Sequence, residues 1–71
     1  PRRHTVMELQ VNGDSLAFSG QTVADLVVQL KLSERRIAIE LNHEILPRHQ
    51  YADTALREGD RLEIIHAIGG G

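Results

Sequence analysis

The chain has 71 residues, enough for one small domain and too few to enclose a deep pocket, so an autonomous multi-step enzyme is not expected. Hydrophobic residues make up 41% and charged residues 25%, a globular mixture rather than a disordered one, and the single Phe, single Tyr and absent Trp require an aliphatic core. With no Cys there is no disulfide, zinc–thiolate site or thiol nucleophile, which fits a cytoplasmic setting, and a net charge of −2 offers no basic field to a nucleic acid.

Residues 1–6 open the chain as a basic arm, Pro1-Arg2-Arg3-His4, with no periodicity. They read either as a remnant ahead of an initiator at Met7 or as a short native extension, and two Arg are too few for a polybasic lipid or nucleic-acid motif. Met7-Glu8-Leu9-Gln10-Val11 alternates apolar and polar residues, the signature of a half-buried strand. Asn12-Gly13-Asp14 supplies the positive φ angles of a tight hairpin, and Ser15 to Phe18 returns as a second strand.

Thr22 is placed as a helix N-cap, with Asp25 three residues on completing a variant of the capping box. Val23, Leu26, Val27 and Leu30 then fall on one helical face, with Leu32 extending that contact. Ser33-Glu34-Arg35-Arg36 reads as a charged connection. Ile37, Ile39 and Leu41 alternate as a third strand, Asn42-His43-Glu44 turns, and Ile45-Leu46 is a very short strand cut off by Pro47. Residues 48–58 are less periodic, with Tyr51 and Leu56 as anchors for a loop containing a helical turn. Glu58-Gly59-Asp60 is a further turn, and Arg61 to Ile68 is the last strand.

This order predicts an α+β, β-grasp fold: a mixed sheet of four to five strands, the last beside the first, with one helix across one face. The domain is expected over residues 7–68, followed by a flexible glycine tail, 69–71. The other sheet face stays open, as antiparallel pairing permits. On the last strand Leu62 and Ile64 point to the core, while Ile65 and Ala67 fall on the open face and, with Ile68, form a candidate partner-docking surface.

Other chemistry finds little support. His4, His43, His49 and His66 are scattered over an arm, a turn, a loop and a strand, without metal-ligand spacing, so no metal site is expected. Ser15, Ser19 and Ser33 have no nucleophile elbow around them, and Gly13, Gly20 and Gly59 are isolated, so no phosphate-cradling loop is formed. No apolar run approaches the ~20 residues that cross a bilayer, so neither membrane nor nucleic acid is an expected partner.

Half of the six glycines stand together at Gly69-Gly70-Gly71, directly after an apolar strand. With that end, the segments Val11-Asn12-Gly13, Gly20 to Leu26, Ala38 to Asn42, Ile45-Leu46-Pro47-Arg48 and Glu58 to Gly71 make the chain resemble the ubiquitin-like sulfur carriers, most closely the ThiS family of thiamin biosynthesis. The likeness covers Met7 to Gly71. A third glycine is a departure: Gly70 and Gly71 carry the match, and Gly69 lengthens the tail.

The resemblance implies a protein co-substrate without intrinsic catalytic residues. At neutral pH an α-carboxyl is an unreactive carboxylate. A ThiF-like, E1-type adenylyltransferase would adenylate the Gly71 carboxylate, with ATP and Mg²⁺ held by that enzyme and no cofactor held by this chain. A sulfur donor, such as a cysteine desulfurase persulfide, would then convert the acyl adenylate to a thiocarboxylate for a ThiG-like thiazole synthase. Gly69 and Gly70 would thread the partner's active site, since three extended residues reach on the order of 10 Å and glycine fits a narrow channel. Three other readings share the sequence features: a carrier like the small subunit of molybdopterin synthase, a ubiquitin-like modifier, and a stand-alone β-grasp binding module.

Overall fold

A computed structural model describes residues 6–67. Strands β1 (Met7–Val11) and β2 (Asp14–Phe18) form an antiparallel hairpin, with Met7 opposite Phe18 and Val11 opposite Asp14. Its turn is two residues, Asn12 at φ 52° and Gly13 at φ 87°, so β2 starts one residue earlier than the sequence suggests. Positive φ at both central positions matches the twist of the flanking strands, which is why Asn-Gly occupies them.

Helix α1 (Val23–Gln29) is only seven residues long, below the length at which a helix is stable alone. Both of its ends are closed. The Thr22 hydroxyl accepts from the Asp25 N–H at 3.2 Å, while the Asp25 carboxylate accepts from the backbone N–H groups of Thr22 and Gln21 at 3.0 and 2.9 Å. Those backbone bonds, Thr22 first and Gln21 second, hold the Asp25 carboxyl below the usual carboxylate range. At the other end the N–H of Leu32 reaches the Val27 carbonyl and that of Lys31 the Val28 carbonyl, with Lys31 at φ 62°. This is the Schellman closure, made here by a lysine in the left-handed conformation that glycine usually takes.

Strands β3 (Ile37–Leu41) and β4 (Glu44–Leu46) follow as a second antiparallel hairpin. Its turn is Asn42–His43, at φ 51° and 74°, and Glu44 already belongs to the strand. The segment after Pro47 is a 3₁₀ helix (Arg48–Asp53), joined to the start of α1 by the bonds Val23 N–H to Thr54 carbonyl and Leu56 N–H to Gln21 carbonyl. The last strand, β5 (Arg61–His66), is the middle one of five, in the order β2-β1-β5-β3-β4, parallel to β1 and antiparallel to β3. Beyond it the Ala67 N–H adds one bond to the Arg36 carbonyl.

The core lies between α1 and one sheet face. Leu9, Phe18, Ile39 and Leu62 from the sheet meet Val23 and Leu26 from the helix, and Tyr51 and Leu56 close the side, all buried. Gly20 fits because a Cβ there would stand 2.7 Å from both the Phe18 ring and the Asp25 Cβ.

Candidate functional site

Two asparagines hold β5 where it must carry the end of the chain. β1 pairs with β5 only at Gln10–Arg61 and Val11–Leu62, because the hairpin then turns away. The Asn12 side chain continues the ladder: its Oδ1 accepts from the Ile64 N–H at 2.7 Å and its Nδ2 donates to the Ile64 carbonyl at 3.3 Å. On the other flank Asn42 accepts from the Arg61 N–H at 3.0 Å and donates to the Asp60 carboxylate at 3.1 Å. The left-handed backbone of each asparagine, demanded by its turn, aims the amide back at the neighbouring strand.

Alternation along β5 sends Leu62 and Ile64 to the core and Glu63 and Ile65 to the open face, with Ile65 51% exposed. Ala38 of β3 lies directly opposite Ile65, Ala67 is exposed just beyond the strand, and the exposed Ile45 extends the apolar surface beside Glu40. The alternation holds for Ile65, but β5 ends at His66 rather than running on as the sequence suggests, so Ala67 is exposed just beyond the strand. The other docking residue of the sequence reading, Ile68, and the tail residues Gly69, Gly70 and Gly71 lie outside the described residues.

A shallow groove of about 460 Å³ runs along this surface, bordered by Arg35, Arg36, Ala38, Arg48, Ile65 and Ala67. Arg35 and Arg36 come from the connection after α1. Arg48 begins the 3₁₀ helix, donates from a terminal guanidinium nitrogen to the Arg35 carbonyl at 3.1 Å, and lies over the Tyr51 ring, 5.9 Å from its centroid. In the sequence Arg35 and Arg36 belong to a charged connection, and nothing around Arg48 marks it for docking. No local signal groups them: Arg48 stands 13 positions from Arg35 and is brought beside it by the β3–β4 hairpin, while the pairing of β3 with β5 adds Ile65.

Among the described residues no group of three or more His, Asp or Glu side chains is placed to hold a metal ion, and no helix is long and apolar enough to cross a membrane. The site is thus a surface with an apolar centre and a cationic margin at the root of the chain end.

A mixed five-stranded sheet with one crossing helix and a central last strand defines a β-grasp protein. The family model for the ThiS family matches residues 6–71, and the chain belongs to that family. It is 36% identical to the sulfur carrier protein ThiS of Escherichia coli, over 92% of this chain and 100% of that one. The crystal structure of the thiamine biosynthesis protein ThiS from Geobacter metallireducens superposes with a TM-score of 0.78 at 33% identity, covering 92% of this chain and all of the other. A thiazole synthase of Paramagnetospirillum magneticum is 44% identical over 66 residues, which are 92% of this chain and 20% of that protein. The chain spans about a fifth of the length of the two thiazole synthases it matches.

Proposed function

We propose that this protein is a sulfur carrier of thiamin biosynthesis, a co-substrate rather than a catalyst. The observation that carries the reading is the full-length match to proteins named sulfur carrier protein ThiS, which takes in almost the whole of the Escherichia coli and Bacillus subtilis proteins. The reading requires a free carboxyl at Gly71. An E1-like adenylyltransferase adenylates that carboxylate, using ATP and Mg²⁺ in its own pocket, and AMP becomes the leaving group. The outer sulfur of a donor such as a cysteine desulfurase persulfide attacks the acyl carbon and displaces AMP to give an acyl disulfide. A thiol reductant cleaves that disulfide, leaving the thiocarboxylate and a new disulfide on the donor side. The relatives named thiazole synthase, which match this chain over a fifth of their length, favour thiazole synthase as the acceptor.

This chain's own part is mechanical. It presents the carboxylate on a segment without side chains, Gly69 to Gly71, and it supplies a rigid strand from which that segment starts. The test is intact mass after incubation with the adenylating enzyme, ATP and a sulfur donor. Replacement of one oxygen by sulfur is expected, while a large adduct would identify a modifier and an unchanged mass would overturn both. Gly70→Val is expected to keep the wild-type melting curve and to abolish ATP–pyrophosphate exchange, because a branched side chain blocks the channel; normal exchange in that variant would remove the steric argument.

A further inference from the structure

The two hairpin turns of the sheet share nearly the same backbone at their first residue and differ in their second. Asn12 stands at φ 52° and Asn42 at φ 51°, but Gly13 follows the first and His43 the second. The amide carbon of an asparagine is open to attack by the backbone nitrogen of the next residue. That ring closure is easiest before glycine, where no side chain obstructs the approach and the chain bends freely. Asn12-Gly13 is therefore a reactive pair, whereas the His43 side chain crowds the equivalent nitrogen.

Burial does not protect this pair. Asn12 and Gly13 are both exposed, and a Cβ at Gly13 would meet nothing within 4 Å, so water reaches the turn freely. The restraint is the bonding of the amide itself. Its Oδ1 accepts from the Ile64 N–H at 2.7 Å and its Nδ2 donates to the Ile64 carbonyl at 3.3 Å, which turns Cγ toward β5. Cγ cannot swing onto the Gly13 nitrogen until both bonds break.

We propose that Asn12-Gly13 is a deamidation site that the fold keeps shut: β5 holds the Asn12 amide off its neighbour, and release of Ile64 opens it. In the opened chain the Gly13 nitrogen bonds to Asn12 Cγ and gives up its proton, the Cγ–Nδ2 bond breaks, and ammonia leaves. Water then opens the succinimide at either carbonyl, giving aspartate or isoaspartate and one more negative charge. Neither product restores the tether. Aspartate only accepts, and it meets the Ile64 carbonyl where the amide donated. Isoaspartate adds a carbon to the backbone of a two-residue turn whose geometry is fixed by the twist of its strands. The change is irreversible, so it marks chains whose last strand has once come free. The site ages in the same way whether or not the chain carries sulfur.

The test ages the full chain at mildly alkaline pH, in buffer alone and in enough guanidinium chloride to unfold it, and reads intact mass and peptide maps. Exchange of NH for O at Asn12 is expected about 10-fold or more faster in the denatured sample than in the native one. Equal rates would show that the Ile64 bonds give no protection. Earlier loss at Asn42, or no loss at Asn12 in denaturant, would remove the site. Gly13→Ala in denaturant should slow the reaction about 10-fold, because a Cβ crowds the attacking nitrogen; an unchanged rate would rule out ring closure as the route. Asn12→Asp reproduces one product in a turn that Asp-Gly suits equally well. It should melt about 4–8 °C below the wild type, and an unchanged melting temperature would overturn the loss of the tether.

Discussion

On the helix side of the sheet Leu9, Phe18, Ile39 and Leu62 are at most 1% exposed, whereas on the opposite side Ile65 and Ile45 stand 51% and 65% open to solvent. The same strands build both surfaces, and a step of one residue along β5 moves from one to the other. The helix-covered face carries the stability of a domain whose burial is limited by its size. The uncovered face contributes little to folding and is therefore free to be shaped by a partner. A substitution should thus act on one property or the other, according to the parity of its position.

Leu62→Ala should have the largest effect, a loss of about 2–5 kcal/mol, because it opens a cavity at the centre of the sheet. Denaturant melts should show a large part of the chain unfolded at moderate temperature; a small loss would mean that the core collapses around the gap. Gly20→Ala places a Cβ 2.7 Å from Phe18, which is 1% exposed and has nowhere to go. A loss of about 1–3 kcal/mol is expected in the same assay.

Thr22→Ala removes one half of the capping box and should destabilise by about 1 kcal/mol. Asp25, on the other half, titrates lower in the folded chain than when unfolded. Its contribution is therefore fully present above the unfolded carboxyl pKa and is lost as pH falls through the lowered, folded value. Asp25→Asn should flatten the acid side of the stability profile, and an unaltered acid limb would deny the carboxylate that role. Ile65→Glu should show the smallest change in stability, within about 0.5 kcal/mol. If the open face is the docking face, the same variant binds the adenylating enzyme poorly; a large stability loss would show that the face is structural after all.

Much of this division was legible in the sequence because strand alternation is a local signal. Met7 to Val11, Ile37 to Leu41 and the start of β5 declare their buried faces directly, and Asn-Gly and Thr22 with Asp25 declare their turn and cap. The resemblance supplied the family and the role proposed for the glycines. What stayed hidden depends on contacts distant in the chain. Lys31 closes the helix in a conformation that its residue type does not advertise, Asn12 reaches Ile64 across 52 positions, and Arg48 joins Arg35 and Arg36 only once β3 has paired with β4. Side-chain amides serving as ladder partners leave no periodic trace.

The Asn12 amide has a mechanical consequence. Past Ile64, the last strand has β3 alone at its side, through His66 opposite Ile37 and the Ala67 N–H on Arg36. Force applied to the end of the chain first loads these few outer contacts and then meets Ile64, whose N–H and carbonyl are both held by the Asn12 amide. Peeling has a natural stopping point there, two residues short of the end of the strand, which leaves the sheet behind it paired.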